Sequence, residues 1–321
     1  LDSDDLWEPR KLEQQVKLLD TDQRLVMVGC ASWIIDEQGR RLGNSPAGIV
    51  LDPALLRYEA LRQNNTFFGG GSTAVVRRSI LEQIGGFARE LRYGEEWDMW
   101  LRLAGQGRIE VLPQALASIR RHVATQTYLT TPEAVDEKLR DYTLILQRNP
   151  SPANHHGNLI DSAMAIQFIR AAVDDVSLFR NALAEERLRE STKFTGGRML
   201  FEEAVQLAVA RAVILAEPDF ELSERVYSYF DQILELFSRI QPVPPVLRAR
   251  ARAELSFSLA TMARTVENWS AVRNGLLRTL RFNTTSWRRP GFLGGMVEST
   301  LGPEMFPVSY THLRAHETKA N

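Results

Sequence analysis

Hydrophobic and polar positions change their period several times along this chain. Behind Trp7 and Pro9, the residues Leu12, Val16 and Leu19 recur at helical spacing and predict an amphipathic helix with those three on its buried face. Pro9 suits the first turn of such a helix. The run LVMVGCASWIID predicts a strand, DEQGR a turn, and FFGGGSTAVVRR a glycine-rich loop entering a second strand. Ser79 is placed to cap a short helix that Gly85 and Gly86 end. YGEEWDMWLRLAGQG predicts a helix with Trp97, Leu101 and Ala104 along one side and two glutamates in its first turn, and IEVLP and ALASIRR predict two short strands. From about Ala134 the pattern becomes helical almost throughout, broken by Pro242, Pro244 and Pro245. NWSAVRNGLLRTLRFNTTSW resembles a degenerate helix-pair repeat, although no fixed period can be counted. The expected organisation is an α/β domain over residues 1–135 and an α-helical domain over 136–306.

Composition narrows the classes of function. Lys and Arg total 39 against 40 Asp and Glu, a formal net charge of -1, which speaks against a nucleic-acid or polybasic membrane binder. Cys30 lies in an apolar run and reads as a buried small hydrophobe; a lone cysteine permits no internal disulfide. AVQLAVARAVILA is interrupted by Arg211 and is too short to span a bilayer, so a soluble protein is expected. Leu1 stands inside a motif, which reads as a fragment of a longer gene. The tail PVSYTHLRAHETKAN resembles a translated transposase adapter, so residues 307–321, with His312 and His316, are set aside as non-native.

The candidate chemistry begins at the first residues. Asp2, Asp4 and Asp5 repel one another unless a cation neutralises them. In an extended strand end Asp2 and Asp4 would face the same way. Hard divalent cations take such oxygen ligands, often one or two carboxylates plus substrate phosphates. An EF-hand loop counted from Asp2 fails, because Trp7 stands where glycine is required.

LDSDDLWEPRKLEQQ, followed in order by GGGSTAVVRRSILEQIGGF, GEEWDMWLRLA and SIRRHVATQT, resembles the family 2 glycosyltransferases over residues 1–127. The resemblance implies a GT-A (Rossmann-like) α/β fold, a nucleotide-sugar donor, an Mn2+ or Mg2+ ion and inverting transfer to an acceptor hydroxyl. It makes Asp4 a metal ligand, with Asp2 reaching the metal or the donor ribose and Asp5 on the donor side or holding the turn. His122 would complete the metal's coordination. Glu96 stands where the family has the aspartate base, with Glu95 as the alternative; both also suit the positive end of a helix. Gly70 and Gly71, with Gly69, would let backbone approach donor or acceptor, or simply form a strained loop. Trp97 would touch the acceptor or belong to the core.

The segment that encloses the nucleotide base would precede Leu1, so the fragment alone is expected to be inactive. The chain carries no QxxRW processive motif. A glycan, lipid-linked or cell-envelope polysaccharide precursor is the expected acceptor, at the cytoplasmic side and peripheral to the inner membrane. The alternative is a catalytically inactive nucleotide-sugar-binding or interaction protein, with the helical region engaging a protein partner.

Overall fold

The computed structural model of the chain describes residues 1–45, 70–120, 130–149, 159–216, 223–265 and 267–301. Gly69, His122 and the tail 307–321 lie outside the described residues. The chain divides into two compact units, Leu1–Leu200 and Phe201–Asn321.

The first unit is built on a mixed sheet. Its strands are β1 (Leu6–Trp7), β2 (Leu25–Ile35), β3 (Arg41–Ser45), β4 (Val75–Val76) and β5 (Arg108–Arg120). The order is β1-β5-β2-β3, with β4 also on β2. β2 and β5 run parallel, from Leu25 beside Arg108 to Ile35 beside Arg120. β1 pairs antiparallel with β5, and β3 and β4 pair antiparallel with β2. The nearly unbroken apolar run of β2 is what a strand covered on both faces requires. IEVLP and ALASIRR are parts of one strand rather than two. The register shifts where β5 passes from Leu112 to Ala115, so Pro113, which has no N–H to give the ladder, sits at the irregularity.

Helix α1 (Lys11–Thr21) departs from the expected packing. Its buried positions are Lys11, Gln15 and Leu19, while Leu12 and Val16 are exposed. Of the predicted apolar face only Leu19 is buried. The reason is a polar bridge: buried Gln15 donates from Nε2 to Val28 O at 2.7 Å and to Thr73 O at 2.9 Å. These bonds join β2 to the glycine loop. Lys11 is wholly buried, with Nζ 4.1 Å from the centre of the Trp7 ring. Helix α2 (Arg78–Gln83) starts at Arg77, without a side-chain cap, so Ser79 lies inside the helix instead of capping it.

Helix α3 (Glu95–Leu103) is packed on two sides. Met99, Trp100 and Leu103 meet Val26, Met27, Ile109 and Val111 of the sheet. Trp97 and Leu101 meet Ile145 and Leu146 of α4 (Pro132–Arg148) and Ala163 and Met164 of α5 (Leu159–Ser177). Helices that follow residue 135 therefore complete the core around α3, and the first unit extends through α6 (Asn181–Phe194) to Leu200.

The second unit is helical: α7 (Phe201–Leu215), α8 (Glu224–Ile240), α9 (Pro245–Thr265), α10 (Trp269–Phe282) and α11 (Phe292–Leu301). The proline cluster separates α8 from α9, as its restricted backbone requires. Gly275 lets α10 lie close to α9; a Cβ there would stand 2.8 Å from Ala260 Cβ. Among the described residues no helix is long and apolar enough to cross a membrane.

Burial of Lys11 has a measurable consequence. Desolvation holds its ammonium down to about 8, against 10.5 for an ordinary lysine, even though the Cys30 thiol opposes the shift. Between those pH values the unfolded chain keeps a proton that the folded chain gives up, so this contribution to stability rises with pH across the window. Below it, the full penalty of a buried ammonium remains. Lys11→Met should raise the melting temperature by several degrees at pH 7, and the gain should vanish by about pH 10.5. Thermal denaturation followed from pH 6 to 11 checks both statements.

Candidate functional site

Asp2, Ser3, Asp4 and Asp5 form a turn, closed by Asp5 N donating to Asp2 O at 3.3 Å. This replaces the expected extended strand end, so alternation does not set the directions of Asp2 and Asp4. The turn is held from two sides. On one, Asp2 N donates to Ser72 Oγ at 3.0 Å and Trp7 Nε1 to Ser72 O at 2.7 Å. On the other, the buried Asp5 carboxylate accepts from Arg120 N at 2.8 Å, and Arg120 Nε donates to Asp4 O at 2.9 Å. Asp5 thus serves the end of β5.

Asp2 is exposed and Asp4 half-buried. Partial burial raises the Asp2 carboxyl above its ordinary value, and the neighbouring Asp5 and Asp4 carboxylates add to the rise. A divalent cation relieves such like-charge crowding, and two outer carboxylates suit an ion that takes its other ligands from phosphates and water. Among the described residues no group of three or more His, Cys, Asp or Glu side chains is disposed to hold a metal.

The glycine-rich stretch folds as a 3-10 turn, Gly71–Thr73, preceded by Gly70. Its glycines have separate duties. Gly70 has φ +89°, a conformation that side-chain-bearing residues rarely adopt. Gly71 is needed for space: its N–H donates to Glu96 Oε1 at 2.6 Å, and a Cβ on it would overlap that oxygen. The close approach expected of this loop is therefore made to the carboxylate in the first turn of α3. The later part of the motif is structural, with Arg77 donating to Leu25 O at 2.7 Å, to Asp22 O at 3.3 Å and to Leu19 O.

Glu95, Glu96 and Asp98 occupy the first turn of α3, which Gly94 enters with φ +76°. A Cβ on Gly94 would press into Tyr142 and Ile145 of α4. The buried Asp141 carboxylate, also on α4, accepts from Arg92 N at 2.9 Å and Tyr93 N at 3.0 Å. Residues of α4 thereby set the angle at which the two glutamates are presented. Asp98 is buried, paired with Arg102 at 2.7 Å and accepting from Asn149 Nδ2 at 3.1 Å. Trp97 has none of its surface exposed and meets Tyr142 edge-on at 5.8 Å, which places it in the core.

The acidic turn, Gly70, Gly71 and Glu96 thus come together through one loop. Ser72, Arg120, Asp141 and Gln15, which position these groups, are not distinguishable by type or local spacing; each acts on a partner distant in sequence.

Residues 1–85 match the family model described as Glycosyl transferase family 2. Over 122 residues the chain is 31% identical to "Putative glycosyltransferase EpsE" of Bacillus subtilis (strain 168), covering 37% of this chain and 41% of that protein. The chain thus spans less than half the length of that relative.

The contact between Gly71 and Glu96 can be tested by coupling. Gly71→Ala should destabilise the folded chain by about 1–2 kcal/mol, because the carboxylate must move and give up its hydrogen bond. In a Glu96→Ala background the same substitution should cost close to nothing. Urea denaturation of the two single variants and the double variant measures the difference.

Proposed function

We propose that the chain, whose residues 1–85 match the family model described as Glycosyl transferase family 2, carries the catalytic part of a site that moves a sugar from a nucleotide diphosphate to an acceptor hydroxyl, with inversion at the anomeric carbon. The observation that carries this reading is the shared loop: Ser72 receives the Asp2 N–H while Gly71 gives its own N–H to Glu96. Groups suited to the donor diphosphate and to the acceptor proton are thereby set at adjacent residues of one rigid turn.

Glu96 is the general base. Its carboxylate takes the acceptor proton as the hydroxyl oxygen bonds to the anomeric carbon and the bond to the nucleotide diphosphate breaks. Gly71 N–H holds that carboxylate in place, and the glycine's missing side chain leaves it room. Glu95, one residue earlier, orients the acceptor or supports the helix start. Mn2+ or Mg2+, held by Asp4 and Asp2 with His122, would supply positive charge to the departing diphosphate. Asp5 supports the turn from below, and Trp97 supports α3 through packing. The acceptor is a hydroxyl on a glycan or lipid-linked precursor, met at the cytoplasmic side of a membrane.

In the full-length protein, assayed with UDP-, GDP- and dTDP-sugars, Glu96→Gln should lower turnover by about 100- to 10,000-fold with donor affinity unchanged, since the amide keeps the shape and loses the basicity. Glu95→Gln should affect the chemical step far less, and Glu96→Asp, which keeps a carboxylate but loses its hydrogen bond from Gly71, should be less active than the parent and more active than Glu96→Gln. Near-wild-type turnover in Glu96→Gln would place the base elsewhere.

Metal dependence gives a separate test. Asp4→Ala should abolish Mn2+-dependent donor binding, measured by calorimetry, while circular dichroism shows the fold intact. Donor binding that is the same with and without Mn2+ would remove the ion from the mechanism.

A further inference from the structure

We propose that the second unit carries a docking surface for anionic lipid headgroups on the exposed side of α10; the inference is independent of the reaction proposed for the first unit. From Asn268 to Val297 the sequence holds no acidic residue, yet it holds Arg273, Arg278, Arg281, Arg288 and Arg289. The near-zero charge of the whole chain conceals this local excess. Two of these arginines serve the fold: Arg289 pairs with Glu254 at 2.6 Å, and the Arg278 guanidinium lies 4.7 Å from the centre of the Tyr227 ring. Among the described residues Arg273, Arg281 and Arg288 have no carboxylate partner.

The inner side of α10 is taken up by packing, where Ala271, Val272 and Leu276 meet Ala260, Ala263 and Phe292. On the exposed side Arg273, Leu277 and Arg281 recur every four residues, which sets them in one stripe. The 3-10 turn Thr284–Arg288 that follows exposes Trp287 and Arg288, with the guanidinium 5.2 Å from the centre of the indole. Leu277 and Trp287 remain 49% and 47% exposed. Lone apolar residues are ordinary on a protein surface, and so are arginines interspersed with acids. Here leucine and tryptophan stand among arginines with no acid between them. That combination fits the boundary layer of an anionic membrane: guanidinium groups meet lipid phosphates while Leu277 and the Trp287 ring enter beneath them. The arginine stems lie along the apolar layer with their charges at the headgroups. A nucleic-acid backbone would match the arginines, but it offers Leu277 no apolar layer to enter.

Sedimentation of the 321-residue chain with lipid vesicles tests the surface. The chain should bind phosphatidylcholine vesicles containing about one third phosphatidylglycerol, bind pure phosphatidylcholine far less, and be released by about 0.5 M NaCl. Arg273→Gln combined with Arg281→Gln should weaken binding by about 30-fold, since each such charge contributes about five-fold near an anionic surface. Arg273→Lys combined with Arg281→Lys should bind like the parent. Leu277→Ser should weaken binding by about 10-fold. Vesicles with brominated acyl chains should quench tryptophan fluorescence, and Trp287→Phe should remove most of that quenching. These variants alter exposed side chains, so their circular dichroism and melting temperatures should match the parent's.

No binding by the parent, equal binding to neutral vesicles, or unchanged binding in either the glutamine pair or Leu277→Ser overturns the proposal. So does a chain that ignores vesicles yet binds single-stranded RNA through the same two arginines, because the partner would then be a nucleic acid.

Discussion

Everything around the candidate site depends on the parallel pairing of β2 with β5. This ladder brings Arg120 level with Ile35, and so beside the turn that Asp36 opens. β1 lies on the outer edge of β5 and continues backwards into the acidic turn. β4 lies on the opposite edge of β2 and continues backwards into the glycine loop. Parallel strands need a crossover, and here the connection contains β3, β4, α2 and α3. The crossover therefore supplies the loop and the helix start that carry Gly71 and Glu96. A break in this ladder would separate the acidic turn from Arg120 and the loop from Gln15 together.

Polar groups buried in the sheet layer are the second condition. A buried amide costs free energy unless its hydrogen bonds are made, and the Gln15 Nε2 makes two, to Val28 O of β2 and to Thr73 O of the glycine loop. Among the described residues Lys11 has no such partner for its ammonium beyond the Trp7 ring, and its depressed pKa records the cost. Trp7 is then fixed on both sides, by Lys11 against its face and by Ser72 O at its N–H. A costly interior ammonium thus adjoins the residue that docks the glycine loop onto the acidic turn.

Much of this was legible in the residue pattern, and the failures have physical causes. β2, the glycine loop and α3 were readable because apolar runs and glycines act locally. The face of α1 was misread because periodicity counts Leu12 and Val16 as buried and cannot foresee that Lys11 and Gln15 replace them. β5 was read as two strands because Pro113 is a strong local break, whereas the ladder to β2 absorbs it with a shift of register. Asp2, Asp4 and Asp5 are alike in type, but only Asp5 is buried, with its carboxylate bonded to the main chain of Arg120, which is remote in sequence. Trp97 was open to a sugar-stacking or a core role on spacing alone; α4 and α5, far along the chain, enclose it.

The meeting of Gly71 with Glu96 also bears on why a glutamate stands where the family resemblance leads one to expect aspartate. An aspartate at position 96 has one methylene fewer and would draw its carboxylate back by about 1.5 Å, the length of one carbon–carbon bond. The hydrogen bond from Gly71 N is 2.6 Å with glutamate in place, so an aspartate in the same backbone position would leave that N–H out of reach. The longer side chain and the bare α-carbon of Gly71 therefore form a matched pair: the carboxylate reaches the loop because the residue is glutamate, and fits there because its partner is glycine. The loop then transmits to Glu96 any movement of Ser72, and through Ser72 any movement of the acidic turn. Carboxylates far apart in sequence are in this way held to a common spacing by two consecutive loop residues.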